Sequence, residues 1–228
     1  MLFSASPRQK LLHTFSSFPV TASPSKVELR RELRARRTAL TRAQQMHGAD
    51  ALARRLLATR VVRVSRRIAC YLPNDGEIDP RPLIARLWAL KKHCYLPVLS
   101  HMPNEHLWFA RVTLDTPFAP NHFGIPEPSI ADDWRRAREL DLILLPLVGF
   151  DADGNRLGMG AGFYDRSLEF LGLRRVWKKP RLVGLAHECQ RVAQLPVNDW
   201  DIALDAVVTD RAVYTMAGGG RCIDDLHG

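Results

Sequence analysis

The feature that most constrains this chain is a set of short apolar runs in which polar residues do not alternate. Ile68-Ala69-Cys70-Tyr71-Leu72 and the stretch Asp141–Val148 are the clearest; Cys94–Leu99, Leu107–Val112, Leu182–His187 and Ala206–Thr209 read as further strands. A strand that faces water on one side alternates, whereas one that is apolar on both faces needs a cover on both. The covers are visible between the runs. Ser25 with Glu28 three residues on forms a capping box opening a helix with Leu29, Leu33 and Leu40 on one stripe. Thr41 with Gln44 opens a second helix to about Ala58, and Asp79-Pro80 reads as N-cap and first position of a third, running to about Lys92. The expected fold is therefore α/β: a single three-layer domain with a largely parallel sheet flanked by helices.

The limits of that domain follow from composition. Residues 1–25 hold no acid, several Ser and Thr, and Arg8 and Lys10. They read as a disordered extension, with a transit peptide as the alternative. The domain is expected over 26–215, with a Gly-rich flexible tail over 216–228. No apolar run approaches the ~18–20 residues that cross a bilayer. The four cysteines form no C-x-x-C pair, and Cys70 and Cys94 sit in strand-like stretches. Buried thiols in a reducing, cytoplasmic setting are expected rather than disulfides or zinc.

Chemistry is expected beyond the carboxyl ends of the strands. Two segments have that character. Asp75-Gly76-Glu77-Ile78-Asp79 follows the first strand. After the Asp141–Val148 strand comes Asp151 to Asp165, with Gly158, Gly160 and Gly162 at alternate positions and a helix directly behind, Tyr164, Leu168 and Leu171 on its inner face. Glycines let backbone amides approach a ligand, and a helix start suits phosphate. The pattern is neither the P-loop nor the dinucleotide fingerprint. The loop has no lysine, so the charge on a phosphorylated ligand must be met by Arg156 or by the basic first helix. Lys26 there opposes the helix dipole, and it shares a face with Arg30. Magnesium would need carboxylates; Asp165 stands at the mouth of the loop, and Asp199, Asp201 and Asp205 crowd the segment before the last strand. Thr116–Pro128, with four prolines, reads as a long irregular loop of the kind that serves function.

The net charge of +9 leaves a second class open. Lys26 to Arg42 carries seven basic residues against Glu28 and Glu32, as a nucleic-acid-binding helix would. Against that, no RRM, KH or zinc-finger pattern is present, and aromatics are not interleaved with the basic run. Another enzyme on the same architecture, such as a sugar-phosphate isomerase or CoA-transferase relative, is the third alternative. His187-Glu188 is a poor metal pair, because adjacent residues at a strand end point apart.

Five ordered segments together resemble the 5-formyltetrahydrofolate cyclo-ligase family, also called methenyltetrahydrofolate synthetase, over about residues 26 to 210. They are Lys26-x-x-Leu29-Arg30, Asp75 to Asp79, Phe123-Gly124-Ile125-Pro126-Glu127-Pro128, Asn155 to Asp165, and Pro196 to Thr209. Ala161 departs from the glycine of many bacterial relatives, which puts in doubt any need for a left-handed backbone there.

The resemblance implies a cytoplasmic, monomeric ligase of one-carbon metabolism whose partners are 5-formyltetrahydrofolate and ATP, with Mg²⁺ as cofactor and no membrane or nucleic acid. It implies that the formyl oxygen attacks the γ-phosphate of ATP. N10 then closes on the activated carbon, phosphate leaves, and 5,10-methenyltetrahydrofolate, ADP and phosphate result. It implies Lys26, Arg156 and Asp165 as catalytic residues. Lys26, Arg30, Arg156, Gly158, Gly160, Gly162 and Tyr164 would hold ATP, and Glu77, Met159, Gly160, Ala161, Gly162 and Phe163 the folate. Asp165 and Asp201 would hold the metal. No general base is assigned.

Overall fold

A computed structural model describes residues 24–99, 106–121, 124–172, 179–198 and 200–215. Residues 1–23 of the expected extension, the whole of the tail over 216–228, Phe123 and Asp199 lie outside the described residues. The helices are α1 (Lys26–Thr38), α2 (Arg42–Ala58), α3 (Arg60–Val64), α4 (Arg81–Ala89) and α5 (Phe163–Leu168). The strands are β1 (Arg67–Ala69), β2 (His93–Val98), β3 (Trp108–Val112), β4 (Phe118–Pro120), β5 (Pro126–Pro128), β6 (Trp134–Arg136), β7 (Leu142–Pro146), β8 (Gly149–Phe150), β9 (Arg156–Leu157), β10 (Arg181–Ala186), β11 (Ala206–Thr209) and β12 (Val213–Thr215).

Both expected capping boxes are formed. The Glu28 amide donates to Ser25 Oγ at 3.3 Å while its carboxylate accepts from the Ser25 amide at 2.8 Å. The Gln44 amide donates to Thr41 Oγ1 at 3.2 Å, and its side chain accepts from the Thr41 amide. Each cap satisfies amides that the first helical turn leaves orphaned.

Among the described residues the main sheet runs β12-β11-β10-β7-β1-β2-β3-β6. Its centre, β11 through β2, is parallel, and its edges are antiparallel. The central strands divide their side chains between two cores with period two. Ile68, Cys70, Leu142, Leu144, Val183 and Leu185 pack with Leu52, Leu56, Val61, Leu83 and Leu87 from α2, α3 and α4. Ala69, Ile143, Leu145, Leu182 and Ala186 face the other way, onto Phe109, Leu140, Leu168 and Leu171. This is the three-layer arrangement that unbroken apolar runs require, and each fully buried Leu or Ile contributes about 1.5–3 kcal/mol. α1 lies apart from both layers, its Leu29 and Leu33 packed on Val148, Leu157 and Leu195. Cys70 and Cys94 are buried free thiols. Among the described residues no helix is long and apolar enough to cross a membrane.

Several boundaries differ from the sequence reading. β1 ends at Ala69 rather than Leu72, because Tyr71 and Leu72 leave the sheet. The third helix begins after Pro80, with Asp79 Oδ1 still accepting from the Arg81 amide at 2.9 Å. It stops at Ala89, short of Lys92, where Lys91 takes a left-handed φ of 56°. α3 was not anticipated: five residues without a side-chain cap carry no start signal. The proline-rich stretch is not irregular. It is the β4–β5 hairpin, in which Ala119 opposes Glu127. Prolines are tolerated because each strand has an unpaired edge.

Candidate active site

Beyond the carboxyl ends of β1, β2 and β7 lies a cleft of about 650 Å³. Its floor is Tyr71, Leu72, Leu96, Pro97, Pro146 and Leu147, the residues with which those strands end or leave the sheet. The residues that the resemblance assigns to the site all line this one cleft: Lys26, Arg30, Glu77, Arg156, Gly158 to Tyr164, Asp165 and Asp201.

One end is built for anions. α1 delivers Lys26 and Arg30 from successive turns. Lys26 Nζ reaches Asp201 at 2.9 Å, across 175 residues of sequence, so the cation that opposes the helix dipole has a carboxylate partner. Arg30 Nε donates to the Gly158 carbonyl at 2.8 Å and pins the glycine loop to α1. Arg156, on β9, has a side chain only 6% exposed and is held by Asp165 and by the Ile202 carbonyl. Burial pulls its pKa down, and Asp165 and then Asp201 oppose that.

The glycines are not equivalent. Gly160 and Gly162 sit at φ of 108° and 70°, where a side chain is strained. A Cβ on Gly162 would also stand 2.9 Å from Arg166 Nη1. Gly158 and Ala161 are outside the positive-φ region, so alanine at 161 is accommodated and the departure from the family's glycine carries no strain. α5 directly follows, but with six residues it is a short helix.

The other end is largely apolar around Glu77. Leu96, Leu99, Leu107, Met159 and Phe163 wall it. Glu77 Oε2 accepts from the Asn74 amide at 3.1 Å. Burial raises the Glu77 pKa from 4.5 to about 7, with the Asp75 charge adding to the rise and the Asn74 bond and Arg37 opposing it. Tyr164 packs at the same place, its phenol pushed up first by burial and then by Glu77.

Asp165 and Asp201 are the carboxylates that could contribute to a divalent-cation site, although each is bonded to a cation in this structure. Asp165 and Asp201 line the cleft beside the three cations, and Mg²⁺ is commonly held by one or two carboxylates with phosphate oxygens and water completing its shell. Among the described residues no cluster of three or more His, Cys, Asp or Glu could form an all-protein cage. Asp205 is committed elsewhere, accepting from the Leu182 amide at 2.7 Å and from Arg181. His187 and Glu188 do diverge: His187 is buried, and Glu188 binds Thr209 and Tyr214.

Sequence reasoning missed Tyr71, Trp200, Asn121 and Glu127, all of which line the cleft. Asn121 and Glu127 belong to the hairpin, where Asn121 Nδ2 donates to Glu127 Oε1 at 2.6 Å and the same oxygen accepts from the Leu99 amide. The proline-rich composition was the available signal. It also missed Arg37, a fully buried guanidinium beneath the Asp75–Glu77 turn.

Comparisons with known proteins agree with this geometry. The profile of the 5-formyltetrahydrofolate cyclo-ligase family matches residues 22–210. A 5-formyltetrahydrofolate cyclo-ligase of Haemophilus influenzae is 41% identical over 180 residues, covering 78% of this chain and 93% of its own. That of Escherichia coli K12 is 40% identical over 185 residues, covering 80% and 98%. Among solved structures, the NMR structure of Aquifex aeolicus 5,10-methenyltetrahydrofolate synthetase superposes with a TM-score of 0.71 at 31% identity, over 87% of this chain and 95% of that one. A match of this length makes the chain a member of the 5-formyltetrahydrofolate cyclo-ligase family and a ligase of folate metabolism.

Proposed function

We propose that the protein cyclises 5-formyltetrahydrofolate to 5,10-methenyltetrahydrofolate at the expense of Mg·ATP, releasing ADP and phosphate. The observation that carries this reading is the two-ended cleft: three cations and two carboxylates at one end, an apolar wall around Glu77 at the other. An amide oxygen is a poor leaving group, and phosphorylation converts it into a good one. Lys26, Arg30 and Arg156 neutralise the triphosphate and the charge that spreads over the transferred phosphoryl group. Asp165 and Asp201 would hold Mg²⁺, which would offset the charge of the phosphate groups. The formyl oxygen takes the γ-phosphoryl group and ADP departs. The N10 lone pair then closes on the formyl carbon, the N10 proton is lost, and the carbon–oxygen bond breaks as phosphate leaves. Glu77 binds the folate, and Met159 to Phe163 lie between the two ligands and align them. Most of the rate enhancement on this reading is positioning and charge neutralisation.

The basic run of α1 supports this reading over a nucleic-acid helix. Lys26, Arg30, Arg34 and Arg37 are each bonded to a segment of the cleft, Arg37 fully buried and Arg34 still partly open to solvent. The working unit on this reading is the domain over residues 26–215, within which every residue of the cleft lies. Action in the reducing cytoplasm is supported by the unbridged Cys70 and Cys94. The test is direct: purified protein is incubated with 5-formyltetrahydrofolate and Mg·ATP while near-ultraviolet absorbance of the methenyl product is followed. Growth that requires both ATP and Mg²⁺ is expected; no product from folded protein contradicts the proposal.

A further inference from the structure

Arg37 does a task that no part of the phosphoryl chemistry requires. It is fully buried, yet it comes from the same stripe of α1 that supplies Lys26 and Arg30. Its Nε donates to the Asp75 carbonyl at 2.7 Å, its Nη2 to Asp75 Oδ2 at 3.0 Å, and its Nη1 to the Leu147 carbonyl at 3.3 Å. Arg34, one turn earlier, places Nε 2.6 Å from the same Asp75 oxygen. A guanidinium fork that grips both the backbone and the side chain of one residue fixes orientation as well as charge. The residue so gripped needs fixing. Asp75 has a left-handed φ of 51° and Gly76 follows at 74°. A Cβ on Gly76 would meet Thr38 Cγ2 at 3.1 Å, so the turn is seated against the end of α1. Glu77, the next residue, is the one whose carboxyl lines the cleft.

We propose that Arg37 and Asp75 are positioning residues for the ligase reaction: the buried fork holds the Asp75–Gly76 turn in its left-handed form so that Glu77 is presented to the folate end. The proposal rests on the reading of Glu77 as a folate-binding group. It makes α1 one rigid element that sets both ends of the cleft, Lys26 and Arg30 at the nucleotide and Arg34 and Arg37 at the folate. The charged and titratable groups that act on or feel Glu77 are Asp75 beside it in the turn, Arg37 of α1, Tyr71 and Tyr164. The Asp75 charge raises the Glu77 pKa and the Arg37 charge lowers it.

Two variants and one reference test this. In Glu77→Gln, the limb of the pH–rate profile that disappears is the Glu77 limb. Asp75→Asn keeps the shape of the side chain and removes its charge, so that Arg37 acts on Glu77 unopposed. It is expected to move the Glu77 limb to lower pH and to raise the KM for 5-formyltetrahydrofolate fivefold or more, with the KM for ATP within twofold. Arg37→Lys keeps the charge and loses the fork, and is expected to raise the folate KM similarly with the ATP KM unchanged. Should both fail to fold, Arg34→Gln, at a guanidinium 46% exposed, is expected to raise the folate KM twofold to fivefold. Folded variants with an unchanged folate KM, or with both KM values rising together, overturn the positioning role. If the wild type itself does not turn over formyl-folate, the functional reading fails instead.

Discussion

Glu77 is a residue at which the cleft is costly to maintain, and the cost is measurable. Its pKa stands at about 7 in the folded chain against 4.5 for an ordinary glutamate, chiefly because burial disfavours the charged form. Below pH 4.5 the carboxyl is neutral in both the folded and the unfolded chain, and folding stability is unaffected by it. Between pH 4.5 and about 7 the unfolded chain loses the proton while the folded chain keeps it, so stability falls as pH rises. At about 1.4 kcal/mol per unit the loss reaches up to about 3 kcal/mol near pH 7 and above, trimmed by whatever water the open cleft admits. Glu77→Gln is neutral at every pH and escapes the loss. Urea unfolding of wild type and variant, followed by circular dichroism from pH 4 to pH 8, isolates the effect, since all other groups cancel in the difference. The variant is expected to gain up to about 3 kcal/mol on the wild type across that range, with most of the gain between pH 4.5 and 7. Parallel stability curves would refute the reasoning, because they would mean that Glu77 is solvated as an ordinary surface carboxylate.

Other perturbations read other parts of the cleft. Asp165→Ala is expected to abolish turnover and leave a folded protein by circular dichroism; a fully active variant removes Asp165 from the metal role. Lys26→Ala removes one charge-assisted bond of about 1.5–3 kcal/mol, so the KM for ATP should rise roughly ten- to hundredfold while the folate KM stays put, as initial-rate kinetics will show. Chelating the metal should stop turnover yet leave the melting temperature of the ligand-free protein unchanged, because Lys26 and Arg156 already balance Asp201 and Asp165. Gly162→Ala meets both a left-handed backbone and Arg166, and should cost about 1–2 kcal/mol with a raised ATP KM. Ala161→Gly should leave the ATP KM within twofold of wild type.

What the sequence made legible was local. Ser25 with Glu28 and Thr41 with Gln44 mark helix starts because a cap is a contact between residues three apart. The unbroken apolar runs announced a sheet covered on both faces, and Leu142 to Leu145 divide between two cores as such a run must. The end of β1 was misjudged for a physical reason: Tyr71 and Leu72 are as apolar as a buried strand, but they are spent on the floor of the cleft. The β4–β5 hairpin was hidden because the pairing of Ala119 with Glu127 is a property of two segments, neither of which alternates. Arg37 was invisible for the opposite reason. Arginine is almost never fully buried unless paired, and its partner turn is 38 residues away. The site residues were found as separate motifs; that Lys26 meets Asp201, and Arg30 the Gly158 carbonyl, is information that only the folded chain carries.

The central claim is that ATP activates the formyl oxygen itself. The measurement that tests it most directly uses 5-formyltetrahydrofolate carrying a heavy-oxygen label in the formyl group, with Mg·ATP and the purified protein, and mass analysis of the phosphate released. Label recovered in phosphate, one atom per methenyl product formed, is the predicted result. Methenyl product accompanied by unlabelled phosphate would mean that the formyl oxygen leaves by another route, and would contradict the account.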